Sequence, residues 1–138
     1  MDGGIHMVIE YKVNAPISAK EVADVFKSSG IKRPVNELER IERMIKNSDI
    51  NLTAWDGQQL VGIARAVTDY SYCCYLSDLA IHKDYQNKGI GKELVQRLQD
   101  ILGEEVALIL LASSVAMDYY PHIGFEKSEN ALRIARKK

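Results

Sequence analysis

YLSDLAIHKDYQNKGIGKELVQRLQDIL, running from Tyr75 to Leu102, reads as an apolar strand, a tight turn and an amphipathic helix in succession. The helix shows in the spacing of Ile90, Leu94, Leu98, Ile101 and Leu102, which fall on one face, and Gly103 supplies its C-terminal stop. The turn between, from Gln86 to Gly91, combines two glycines, positive charge and a helix start. The first turn of any helix leaves backbone N–H groups without partners, and the macrodipole adds about half a positive charge at that end. Such a turn suits an anion, most simply a phosphate or pyrophosphate.

Two familiar phosphate loops fail on specific residues. A Walker A loop needs a first glycine where this chain has Gln86, and a hydroxyl residue where it has Glu93. A dinucleotide fingerprint needs a third glycine three residues after Gly91, but Leu94 stands there, and the turn comes too late for an initial βαβ unit. What remains is Q-x-x-G-x-G between a strand and a helix.

Downstream, Val106 to Ala112 (VALILLA) is an unbroken apolar run, as expected of a strand covered on both faces. Strand, helix and strand in this order imply a right-handed crossover with parallel neighbours. Ser113 or Ser114 can cap a short helix carrying Ala116, Tyr119 and Tyr120, with Pro121 tightening or fraying its last turn. Gly124-Phe125 then leads into a final strand or pair of strands ending near Ala135. Upstream, Val8 to Val13 alternates as a half-buried strand. Ser18 with Glu21 forms a capping box for a helix carrying Val22, Val25 and Phe26 and closed by Gly30. Asn36 with Glu39 repeats the capping pattern before Leu38, Ile41 and Ile45. Asp56-Gly57 predicts a hairpin between strands from Ile50 and through Val67, and Tyr72 to Ile81 makes a further antiparallel strand.

The segment LSDLAIHKDYQNKGIGKEL (Leu76–Leu94) resembles the acetyl-CoA-binding motif of the GNAT superfamily of N-acetyltransferases. About 30 residues on, AMDYYPHIGF (Ala116–Phe125) resembles that family's second signature, A-x-x-F/L-Y-x-x-x-G-F. In element order the resemblance runs from Val8 to about Ala135. It implies an α/β (α+β) fold with a mixed, mostly antiparallel sheet of six or seven strands flanked by about four helices. A splayed parallel pair would open the cofactor slot, with a bulge near Leu79 driving the splay. It implies a single acetyltransferase domain over residues 1–138, of which 1–6 read as an expression scar. Backbone groups of Leu79, Ala80 and Ile81 would pair with the pantetheine arm of acetyl-CoA. Backbone amides of Asn87, Lys88, Gly89, Ile90, Gly91 and Lys92 would hold the pyrophosphate, with Gln86 at the family's Arg/Gln position. A Cβ at 89 or 91 would stand between amides and oxygens. Lys88 and Lys92 either add charge there or are exposed turn lysines.

Acyl transfer from a thioester to an amine needs a neutral amine, a donor for the oxyanion and a proton for the departing thiolate. Tyr120 occupies the position of the family's general acid. A phenol of pKa about 10 protonates a thiolate whose conjugate acid is near 8.5 only with help from the site. Tyr119, and Tyr120 too, can equally be read as core aromatics. A backbone N–H at the bulge, Leu79 or Ala80, would serve the oxyanion, a role worth roughly 3 kcal/mol when preorganised. Deprotonating a lysine-like amine at pH 7 costs about 4.6 kcal/mol. Asp78 could accept that proton through water, or be a solvated carboxylate at the sheet edge.

The remaining features bound the reading. Cys73 and Cys74 are adjacent, with no base placed beside them by sequence. They form neither a disulfide framework nor, with the three histidines, a metal constellation. A net charge of −1 gives no global attraction to nucleic acid or anionic membrane. No apolar run approaches the roughly 20 residues of a membrane span. The compartment expected is a reducing cytoplasm, and a homodimer is expected by family analogy alone. The acceptor, a small primary amine, an amino acid or a protein lysine, has no residue code. Arg33, Arg65, Asp69, Tyr70 and Tyr72 are candidates to line its pocket or to be surface residues. The competing function is a non-catalytic CoA-binding sensor or interaction module.

Overall fold

The computed structural model describes residues 8–138, so the stretch read as an expression scar lies outside the described residues. Strand β1 (Glu10–Val13) is followed by helices α1 (Ala19–Ser29) and α2 (Leu38–Lys46). The hairpin β2 (Ile50–Asp56) and β3 (Gln59–Thr68) comes next, then β4 (Cys73–Ile81), helix α3 (Ile90–Leu102) and β5 (Ala107–Ile109). The strands form one sheet in the order β1-β2-β3-β4-β5, antiparallel except for the last pair, which is parallel.

Local chemistry explains most of these boundaries. Ser18 accepts from the Glu21 backbone N–H while Glu21 bonds back to the Ser18 N–H, the reciprocal box predicted for α1. Gly30 ends α1 in the left-handed conformation. For α2 the expected Asn36 cap is wrong. Glu37 is the N-cap and makes no side-chain cap bond, so this helix relies on packing of Ile41, which is fully buried.

The sheet separates two cores. On one face Val22, Val25, Phe26 and Ile41 from α1 and α2 pack on Trp55, Ile63 and Ala80. On the other, Ile90, Leu94, Val95 and Leu98 from α3 pack on Leu52, Val61, Ala64 and Leu76. Full burial of such side chains stabilises the fold by about 1.5–3 kcal/mol each, as an upper bound.

Between β3 and β4, Arg65 lies opposite Asp78 but Ala66 lies opposite Leu76, so Ser77 is an extra, bulged residue on β4. The bulge expected near Leu79 therefore sits two residues earlier. It also resets the alternation. Before it, Cys74 and Leu76 face the α3 core; after it, Ala80 faces the α1/α2 core while Leu79 and Ile81 pack on the α3 side.

Four expectations are corrected, three of them at the C-terminal end. The sheet has five strands and three α-helices among the described residues, rather than six or seven strands and about four helices. The run Val106–Ala112 yields only a three-residue strand, because β5 has one neighbour and that neighbour diverges; Ile109 and Leu111 are about half exposed. The helix expected around Ala116–Tyr120 is two 3₁₀ turns, Ser114–Ala116 and Tyr120–Ile123, and Pro121 opens the second rather than ending the first. From Phe125 onward there is no strand, and Leu132 and Ile134 stand exposed without a ladder to join.

Candidate active site

The turn after β4 is braced from three sides. The His82 imidazole Nδ1 accepts from the Asp84 N–H and caps the 3₁₀ turn Lys83–Tyr85. The Tyr85 hydroxyl donates to Asp56 at 2.5 Å, tying the turn to the β2–β3 hairpin, and that bond to a carboxylate is the main cause of its raised pKa. Gln86 does not reach forward to the helix; its Nε2 donates to the Ile81 carbonyl at 2.9 Å and fixes the end of β4. Beyond it Asn87 (φ 63°) and Gly89 (φ 83°) are both left-handed, with Lys88 between them.

Gly89 is the N-cap of α3, and no side chain caps this helix. Its first backbone bond runs from the Glu93 N–H to the Gly89 carbonyl at 3.0 Å. The N–H groups of Ile90, Gly91 and Lys92 precede that bond, so they have no acceptor within the helix. Each glycine has its own reason. A Cβ on Gly89 would meet no protein atom within 4 Å, so its requirement is the positive φ. A Cβ on Gly91 would lie 2.7 Å from the Tyr119 hydroxyl. Lys88 and Lys92 are exposed.

Next to the turn is a slot. Strands β4 and β5 pair only over Cys73–Tyr75, so among the described residues the edge of β4 from Leu76 to Ile81 has no partner strand on that side. Tyr119 and Tyr120 meet edge to face at 5.3 Å, and Tyr120 meets Phe125 at 5.5 Å. Tyr119 reaches the N-terminus of α3, whereas Tyr120 lines a cavity of about 660 Å³ with Tyr75, Leu110, Met117 and Phe125. Burial is the main cause raising the Tyr120 phenol; the neighbouring Tyr119 adds to it, and the positive charge of Arg33 opposes it. Tyr119 is raised by burial as well.

Sequence reasoning missed the cluster beneath the bulge. Asp78 is fully buried, with Oδ1 accepting from Arg33 Nε and Oδ2 from Arg65 Nε, each at 2.5 Å. Arg33 Nη2 also donates to the carbonyl of Ser77, and Arg65 Nη2 to its hydroxyl, at 2.8 and 2.9 Å. Two guanidiniums therefore clamp the bulged residue through its backbone and its side chain. Neither expected setting for Asp78 holds. It is not a solvated edge carboxylate, and as a base it lacks a free oxygen facing water or an amine. The available signal was a pair of arginines in elements that flank Asp78, but nothing in the spacing showed that they converge.

Other candidates disperse. Arg65 is buried in this cluster, whereas Asp69, Tyr70 and Tyr72 occupy the exposed β3–β4 loop. There Asp69 accepts from the N–H groups of Ser71, Tyr72 and Cys73, which hold its carboxyl at about 2. Cys73 is exposed and Cys74 buried. Among the described residues no group of three His, Cys, Asp or Glu side chains could hold a metal ion. No described helix is long and apolar enough to cross a membrane.

The acetyltransferase (GNAT) domain model matches residues 15–135. The chain belongs to the GNAT acetyltransferase family. An uncharacterized N-acetyltransferase, ycf52, of Pyropia yezoensis is 30% identical over 127 residues, covering 87% of this chain and 71% of the relative. GCN5-related N-acetyltransferase 2, chloroplastic, of Arabidopsis thaliana is 32% identical over 78 residues. That match covers 55% of this chain and 30% of the relative, so the matched segment is less than a third of the plant protein's length. Among solved structures, a protein of unknown function from meticillin-resistant Staphylococcus aureus superposes with a TM-score of 0.78 at 20% identity, covering 94% of this chain and all of the other. An aminoglycoside N-acetyltransferase, AAC(6')-Iy, in complex with CoA gives 0.70 at 14%, covering 97% and 98%. These likenesses establish a GNAT fold.

Proposed function

We propose that this GNAT protein transfers an acetyl group from acetyl-CoA to a primary amine by direct attack in a ternary complex. The observation that carries the reading is the junction of an uncapped helix N-terminus with an unpartnered strand edge. The three leading N–H groups of α3 and the left-handed turn Asn87–Gly89 suit a pyrophosphate. The free edge of β4 over Leu79, Ala80 and Ile81 offers backbone groups to an amide-bearing arm as another strand would. Bound acetyl-CoA would supply the activated acyl group.

The chain's own residues then have distinct tasks. A phenol of ordinary pKa about 10 is already protonated at neutral pH and burial raises it further, so Tyr120 enters the reaction carrying the proton that it delivers to the departing sulfur. Arg33 moderates that rise. A backbone N–H just past the Ser77 bulge donates to the acyl oxygen. Asp78 acts indirectly: with Arg33 and Arg65 it holds the bulge in place. The proton from the amine goes to solvent through a group that is not Asp78. The acceptor is a small molecule or a protein lysine, with neither nucleic acid nor membrane involved, and the two free cysteines fit a reducing compartment such as the cytoplasm.

Thiol release from acetyl-CoA, followed across a panel of amines, tests the reading. Turnover is expected with at least one amine, falling about a hundredfold in Tyr120→Phe. CoA binding without turnover for any amine would replace the enzyme with a CoA-sensing module.

A further inference from the structure

The buried cluster of Arg33, Asp78 and Arg65 carries two positive charges and one negative. Among the described residues Asp78 is the only carboxylate within 4 Å of either arginine. A charge imbalance beside a sheet interior is costly unless something compensates it. The three side chains differ in access: Asp78 is 0% exposed, Arg65 10% and Arg33 27%. The excess charge therefore meets the solvent through Arg33. Among the described residues three of its N–H groups find acceptors, in Asp78, the Lys32 carbonyl and the Ser77 carbonyl, and two of its five do not.

The position of Arg33 gives that charge a use. It lies on the loop between α1 and α2, bonds the bulge residue of β4, and its charge acts on the Tyr120 phenol. Bulge and phenol are the two groups assigned above to the acyl oxygen and the sulfur. A guanidinium fixed in a partly exposed site offers a carboxylate an opposite charge and two further N–H donors.

We infer that Arg33 is a specificity residue that binds a carboxylate carried by the substrate beside the transferred acyl group. The inference rests on the acyltransferase reading. Asp78 and the Ser77 carbonyl hold the guanidinium in a fixed orientation, and Arg65 completes the anchorage from below. The carboxylate belongs either to the acceptor, as in an amino acid, or to the acyl chain of the donor.

The test uses ω-amino acids of one to five methylenes against the matching alkylamines, with acetyl-CoA as donor, and succinyl-CoA against acetyl-CoA with a neutral amine. Calorimetric binding of the same amines to the protein–CoA complex provides a readout independent of turnover. Wild-type protein is expected to favour the carboxylate partner at least tenfold in kcat/KM in one of the two arms. The arm that responds identifies which substrate carries the carboxylate, and the calorimetric preference appears when it is the acceptor. Arg33→Gln leaves the one-to-one Arg65–Asp78 pair and should reduce the preference to near one. Arg33→Lys keeps the charge while losing the fork to Asp78 and Ser77. It should retain part of the preference, which a merely structural role would not. Preference in neither arm, or equal preference in wild type and Arg33→Gln, overturns the inference alone. Absence of both turnover and CoA binding in the wild type overturns the acyltransferase reading and this inference with it.

Discussion

Asp78→Asn separates a buried counter-charge from a catalytic base by its effect on stability. The carboxylate is fully buried and accepts from both guanidiniums at 2.5 Å. The amide is nearly isosteric but carries no charge, so two cations are left facing a neutral group. Removing one partner from a buried ion pair costs about 3–5 kcal/mol. With a urea m-value of about 2 kcal/mol per molar, that is a midpoint lowered by roughly 2 M at unchanged slope. Arg33→Gln removes the more exposed cation and leaves a matched pair, so it should cost less, about 1.5–3 kcal/mol, the scale of its bond to the Asp78 carboxylate. Equilibrium urea unfolding followed by far-UV circular dichroism measures both. An Asp78→Asn protein within about 0.5 kcal/mol of wild type would refute the structural role. If that protein had also lost activity, Asp78 would return as a candidate base.

Two further expectations concern the scaffold. Asp69 is held at about 2 by backbone N–H groups from Ser71, Tyr72 and Cys73 against a usual 3.8. A depressed carboxyl pKa stabilises the fold above the unfolded value and ceases to do so as pH falls through the folded one. The stability advantage of wild type over Asp69→Asn should therefore be full above about pH 4 and fade toward pH 2, read as converging denaturation midpoints. Ser18→Ala removes the oxygen that accepts the Glu21 N–H and should cost about 1 kcal/mol, seen as a lower melting temperature.

What was legible in the sequence was what local chemistry decides. The capping box of α1, the Gly30 that closes it and the stripe of α3 follow from short-range rules, and the structure has them, except that Ile101 of the stripe is exposed. The strand-to-turn-to-helix order around Gln86–Gly91 was equally plain. The misses are tertiary. Val106–Ala112 is apolar enough for a central strand, but its burial depends on neighbours that the splay removes. The bulge at Ser77 is set by two arginines 44 residues upstream and 12 residues upstream of it, and no local pattern encodes that meeting. Asp78 reads in the sequence as a base or an edge carboxylate, and its burial between two arginines is a tertiary fact. Gln86 stands at the family's Arg/Gln position in the sequence, and the sequence does not show that its amide bonds the Ile81 carbonyl.

The central claim is that the turn Gln86–Lys92 and the adjoining edge of β4 form an acetyl-CoA site. Gly89 probes it most directly, because a Cβ there would meet no protein atom within 4 Å and stands beside the leading N–H groups of α3. Replacement by leucine adds strain of about 1–2 kcal/mol at its positive φ, which circular dichroism and thermal melting will register separately from binding. Calorimetric titration of acetyl-CoA into wild type and Gly89→Leu is the decisive measurement. One site per chain in the wild type, weakened at least tenfold in the folded variant, is the result predicted. Equal affinity in the two proteins, or no binding by the wild type, would contradict the account.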